Sequence, residues 1–206
     1  FDSALTITHG SGITCPRAEN LSVAAGDQIA CFATAANTVF ILGYLPASGN
    51  IKFKATQSAS SDVNTLDDYE EWTWTPAVTF STPGDLSVVY SVQVGSYTKI
   101  GNLVRASFTI TTSTFTHTTA AGDFHITGFP FASANVTSNN HVGALIWGGF
   151  TMANYTNMNI QMAPNASLAL VGASGSGQAA SNITSTTAPT GGTITLRGTI
   201  CYQAAT

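Results

Sequence analysis

Apolar and polar residues alternate one by one along most of this chain, and a period of two is the signature of strands rather than helices. Val104, Ala106, Phe108 and Ile110 fall on one side, Arg105, Ser107 and Thr109 on the other. Met158, Ile160 and Met162 alternate with Asn157, Asn159 and Gln161 in the same way. Ile194, Leu196, Ile200 and Tyr202 oppose Thr195, Arg197, Thr199 and Cys201, and Phe124 alternates with Ile126 before the turn residues Gly128 and Pro130. Each such run buries one face of a sheet. Helical periodicity is almost absent, so the expected fold is all-β: an antiparallel β-sandwich, jelly-roll-like, with a small N-terminal β-module.

The polar positions are unusual in kind. Charged residues make up 8 % of the chain and the hydrophobic fraction is 44 %, so Ser, Thr, Asn and Gly supply most of the polar surface. Such a surface costs little to bury against a copy of itself, because few charges need desolvating. The net charge is −4, and Arg17, Lys52, Lys54, Lys99, Arg105 and Arg197 form no basic run, which argues against a nucleic-acid partner. No apolar stretch approaches the ~20 residues of a membrane helix, and Phe1-Asp2-Ser3 opens no signal peptide. Cys15, Cys31 and Cys201 have neither disulfide-framework nor zinc spacing. They read as buried or half-buried thiols, with a Cys15–Cys31 bridge left open.

Along the chain, residues 1–46 read as a small β-module, with strands at Ala4–Thr8, Gln28–Phe32 and Val39–Leu42. It is too small to be stable alone. Residues 47–66 read as a linker and 67–206 as the main β-sandwich domain. Residues 141–147 differ from the other strands. Val142, Ala144 and Ile146 face one way while Leu145 and Trp147 face the other, so both faces require cover from a subunit interface or an overlying loop. Gly148-Gly149 marks a bulge or bend. Between the strands expected at Ser167–Val171 and Thr193–Tyr202 lie about twenty residues without alternation, which read as a connector or as an exposed recognition loop.

The densest acidic cluster is Leu66-Asp67-Asp68-Tyr69-Glu70-Glu71-Trp72-Thr73-Trp74-Thr75-Pro76. Paired carboxylates suggest glycosidase chemistry, but these are sequence neighbours, and a solvated acidic turn leading into a strand is the stronger reading. The stretch resembles the segment Leu-Asp-Asp-Tyr-Glu-Glu-Gly-Thr-Trp-Thr-Pro that opens the C-terminal domains of many bacteriophage tail fibres and tailspikes. Trp72 stands where that pattern has Gly. Gly95-Ser96-Tyr97-Thr98-Lys99-Ile100-Gly101, Ile126-Thr127-Gly128-Phe129-Pro130-Phe131 and Thr195–Tyr202 resemble the same family's later motifs, in order, so the resemblance covers about 66–206. Residues 4–44 resemble a small β-module that often precedes it. The resemblance implies a homotrimeric β-structure in the virion, at the host-facing end of a fibre and assembled in the bacterial cytoplasm, with other tail proteins and a host-surface glycan or protein receptor as partners.

His9, His117, His125 and His141 read as ordinary loop or strand histidines, and no metal site, cofactor or catalytic residue is expected. The sequons at Asn20, Asn135, Asn154, Asn165 and Asn182 carry no glycan in a bacterial cytoplasm. The expected function is trimerisation and host-surface recognition without catalysis. A head fibre or decoration trimer is the structural alternative, and part of a polysaccharide depolymerase the enzymatic one. Candidate ligand residues are Phe150, Asn154, Tyr155, Asn157, Ser174, Ser176 and Gln178, the aromatic pair serving only if folding brings its turn beside the 172–178 segment.

Overall fold

The computed structural model describes residues 69–205 and, before them, the backbone of five strands: β1 (Leu5–Ile7), β2 (Ile13–Thr14), β3 (Leu21–Val23), β4 (Gln28–Ala35) and β5 (Thr38–Leu45). The chain divides into two compact units, Phe1–Thr56 and Gln57–Thr206. In the first, β1 pairs antiparallel with β3, and β5 pairs antiparallel with β4 and parallel with β2. The strands expected near 4–8, 28–32 and 39–42 all form there. Cys15, His9 and residues 47–66 lie outside the described residues.

The second unit is one antiparallel sheet of ten strands: β6 (Tyr69–Trp74), β7 (Ala77–Thr82), β8 (Ser87–Ile100), β9 (Leu103–Thr116), β10 (Ala121–Thr127), β11 (His141–Gly148), β12 (Asn157–Met162), β13 (Ala169–Gly175), β14 (Gln178–Asn182) and β15 (Thr195–Gln203). The lateral order is β6-β8-β9-β15-β11-β12-β13-β10-β7, with β10 and β14 sharing one edge of β13. The end strands β6 and β7 are separated by only Thr75 and Pro76, so the sheet must curl until its two ends approach. Side chains span the closure: the Val78 amide donates to the Tyr90 hydroxyl at 2.9 Å, and Gln93 Nε2 donates to the Pro76 carbonyl at 2.9 Å. The described residues are thus all-β, as the alternation predicts, in the form of a curled antiparallel sheet.

The concave side holds the core. Fully buried Phe80, Phe115 and Phe124 come from β7, β9 and β10, with centroid separations of 5.5 to 6.1 Å and tilted or edge-on ring planes. Those are the geometries ring quadrupoles favour. His117 joins this cluster, buried against Phe80 and Phe115, with Nε2 3.2 Å from the Pro189 carbonyl oxygen. Nearer β6, Trp74 stacks on Phe129 at 4.8 Å, and its indole N–H reaches the carbonyls of Ser96 and Ser107. Gly198 leaves the space that the Phe108 ring fills, since a Cβ there would sit 2.6 Å from that ring.

Two sequence expectations are corrected. The acidic cluster is not simply a turn: Glu70 and Glu71 belong to β6, where Tyr97 donates to Glu70 at 3.1 Å and Tyr69 donates to Glu71 at 2.5 Å. Asp67 and Asp68 lie outside the described residues. Neighbours in a strand point to opposite faces, so Glu70 and Glu71 cannot converge on one substrate atom. Cys201 is an exposed free thiol, not a buried one, because it takes the outward phase of β15 between buried Ile200 and Tyr202. Trp72, on the edge strand β6, is 74 % exposed.

One carboxylate clamps two turns together. Asp85, between β7 and β8, accepts from the Thr118 hydroxyl, from the amides of Thr118 and Thr119 at 2.9 and 2.7 Å, and from the Thr119 hydroxyl at 3.0 Å. The Thr118 hydroxyl, then the two amides, hold its carboxyl well below the usual carboxylate range. With the folded value depressed, the stabilisation is fully present above the ordinary value of 3.8 and is lost as pH falls through the folded value. Melting temperatures taken from about pH 5 down to about pH 2 should therefore fall more steeply for the parent chain than for Asp85→Asn. Parallel curves would mean the clamp contributes nothing.

Candidate functional site

The chain between β11 and β12 is built to turn sharply inward. Gly149 has φ +89°, and a Cβ on it would collide with the Thr193 carbonyl oxygen. Phe150 then enters the core, and a turn closed by the Tyr155 amide donating to the Met152 carbonyl at 3.2 Å places Asn154 at its tip, in the left-handed region at φ +65°. Asn suits that position because its side chain tolerates the left-handed region.

The segment around 172–190 is not a strandless loop. β13 runs on to Gly175, Gly177 turns at φ +69°, and β14 returns antiparallel. Beyond β14, Ile183 is fully buried, donating its amide to Val171 and accepting from Phe124, and Ala188 is buried as well. The expected connector is thus a hairpin followed by a core-anchored return. Replacing 173–190 with a tight turn would remove core side chains along with any loop.

This hairpin lies directly against the 150–157 turn. Asn157 is in register with Ser174, the Thr156 amide donates to the Ser174 carbonyl at 3.0 Å, and the Tyr155 hydroxyl reaches the Ala179 carbonyl at 3.3 Å. Gly175 permits the closeness, for a Cβ there would collide with the Asn154 carbonyl oxygen. The structure therefore gathers Asn154, Tyr155, Asn157, Ser174, Ser176 and Gln178 at one corner, although 16 residues separate the first of these stretches from the second. Phe150 departs from expectation: its ring packs edge-on against Phe124 at 5.5 Å and is 8 % exposed, so its face is not a free stacking platform.

A pocket of about 170 Å³ opens at this corner. Buried Phe150, Met158 and Ala173 form its floor, half-buried Trp147, Met152 and Tyr155 its walls, and exposed Thr151 its rim. No lining residue is charged. Sequence reasoning missed Trp147 and Met152. The signal for Trp147 was its place beside Gly148-Gly149, where the strand ends and cannot cover the ring fully.

A second surface stands on the convex side. Val142 and Ile146 of β11 are 62 % and 66 % exposed, although β11 lies in the middle of the sheet. Ile146 is in register with Arg197 and Ala144 with Thr199 on β15, and those positions continue to Thr109 and Ser107 on β9 and to Val94 and Ser96 on β8. Among the outward positions of these four strands only Arg105 and Arg197 are charged.

No group of three His, Cys, Asp or Glu side chains is placed to hold a metal among the described residues. Among the described residues no helix is long and apolar enough to cross a membrane. Compared with known proteins, the chain matches no family model, and no curated protein and no solved structure is similar to it. The tail-fibre resemblance therefore rests on its motifs.

Proposed function

We propose that this chain is a distal domain of a bacteriophage tail fibre or tailspike, a homotrimer that holds a saccharide of the host surface and does not cleave it. The observation that carries the proposal is the uncharged pocket at the hairpin tip. Aromatic walls of Trp147 and Tyr155 line it with the Thr151 hydroxyl, and Asn154 lies in the same turn, while the Asn157 and Ser174 side chains take the opposite face of the sheet from Met158 and Ala173. A concave site that sets aromatic and apolar side chains beside a few polar groups suits a small ligand. Uncharged amides and hydroxyls match a ligand made of hydroxyls.

The trimer is supported by the convex face. Exposed Val142 and Ile146 in mid-sheet, among Ser and Thr, offer a surface that a copy can cover at low desolvation cost. The curled sheet fits a jelly-roll-like sandwich in which β7 and β10 oppose β9, as the Phe80, Phe115 and Phe124 rings do. Three identical pockets on one trimer would multiply a weak affinity into firm attachment to a repetitive polymer.

Fluorescently labelled full chain should adsorb to some strains of a bacterial panel with defined surface polysaccharides, and the matching purified polysaccharide should compete. Trp147→Ala with Tyr155→Ala should weaken each pocket about tenfold, the loss of about 1.4 kcal/mol per pocket, and lower the adsorption of the trimer by more than that. Adsorption unaffected by any polysaccharide would overturn the saccharide reading, and reducing ends released from the competing polymer would overturn the claim that it is not cleaved.

A further inference from the structure

We infer that the pocket at the hairpin tip selects an acetamido sugar, a hexose bearing an N-acetyl group, and seats the acetyl methyl on its floor. The inference rests on the saccharide reading above and names the sugar class that the site takes.

The buried side chains of the pocket are apolar. Its floor is a phenyl edge, a thioether and a methyl group, from Phe150, Met158 and Ala173, which are 8, 4 and 2 % exposed. None of these three side chains donates or accepts a strong hydrogen bond. A plain hexose carries oxygen on every ring carbon, so whichever edge entered would lose water without gaining a partner. An acetyl methyl has no such need, and its burial against sulfur, methyl and ring is favourable. The about 170 Å³ available accommodates an N-acetyl group together with the adjacent ring carbons, and little more.

The polar half of the acetamido group then lies where hydroxyls are found. The Tyr155 hydroxyl spends its proton on the Ala179 carbonyl, which leaves its oxygen free to accept the amide N–H of the sugar. The exposed Thr151 hydroxyl stands at the same rim and can donate to the acetyl carbonyl. Neutrality narrows the class further. Without a charged lining residue, a uronic or sialic carboxylate finds no counter-charge, and neither does the ammonium of an unacetylated amino sugar. Acetylation removes that ammonium charge and supplies the methyl.

Saturation-transfer NMR on the full chain tests this with tri-N-acetylchitotriose and N-acetylgalactosamine against cellotriose and galactose. The acetamido sugars should bind at least about tenfold more tightly than their hydroxyl counterparts, with the acetyl methyl the most strongly saturated group. Ala173→Leu, which fills the floor, should abolish that methyl signal. Met152→Ala, at a half-buried wall outside the core, should weaken it while the melting temperature stays near that of the parent. Equal binding of both sugar classes, or an acetyl signal that survives both substitutions, would overturn the inference and leave the saccharide reading standing. Binding of neither class, together with adsorption that no polysaccharide blocks, would overturn both.

Discussion

Phe124→Ala should cost about 3–5 kcal/mol of folding stability, the range for removing a buried aromatic ring. Phe124 is fully buried on β10 and touches Phe80, Phe115 and Phe150, so four strands or turns lose a shared contact at once. The neighbouring backbone cannot collapse into the space, because the Phe124 amide is fixed by the Ile183 carbonyl at 2.8 Å, and β10 is held by β7 on one side and β13 on the other. Phe150 is the link to the candidate site: once its edge-on partner is gone, the pocket floor loosens too. Denaturant unfolding monitored by tryptophan fluorescence would measure the loss, and a change below about 1 kcal/mol would show that the cluster is not the centre of the core.

Replacing Val142 and Ile146 together with Asp should leave a folded monomer. Both side chains lie on the convex face with more than half their surface exposed, so neither substitution opens a cavity in the isolated subunit. In the proposed trimer each copy would bring two carboxylates to the covered face. Arg197, in register with Ile146, is a partner for one of them at most. Burial of each original side chain contributes roughly 1.5–3 kcal/mol, and the unpaired carboxylate adds a desolvation penalty. The loss recurs three times around a symmetric ring, far more than a trimer of ordinary affinity tolerates. Light scattering at micromolar concentration, with circular dichroism to confirm the strands, reads the outcome. A trimer that persists in the double variant would remove β11 from the interface.

Strands whose buried side chains are large were legible in the sequence. Val104, Ala106, Phe108 and Ile110 predict the heart of β9, and Met158, Ile160 and Met162 predict β12, because each large residue lies in phase with the buried face. β11 was legible as a strand apolar on both sides, and its convex side is the exposed one. β13 was expected only as Ser167–Val171, short of its end at Gly175, and β14 was not expected at all. Ala169, Val171 and Ala173 are buried, yet such small side chains among Gly and Ser give almost no contrast between the two phases. β8 hides its period for another reason. Register shifts around Tyr90 insert an extra residue, so Val89 and Val92 share exposure although an odd number of positions separates them. The candidate site was legible as residue types on two separate turns. That Ser174 pairs with Asn157 depends on the lateral order of the sheet, which local patterning does not encode.

The position of β15 bears on how the protein can be made. β15, the last of the described strands in chain order, lies in the centre of the sheet, paired with β9 from Thr195↔Thr111 to Gln203↔Leu103 and with β11 from Gly148↔Thr195 to Ala144↔Thr199. Until Gln203 has cleared the ribosome, β9 and β11 are two unprotected sheet edges with nothing to join them. Folding of this unit therefore waits for its final strand and has a high proportion of distant contacts, so it is slow compared with helical domains and depends on the chain remaining soluble meanwhile. A translation product interrupted before Thr195 would not be a shortened but serviceable binder. It would be two half-sheets, each presenting an edge to which other interrupted chains can attach.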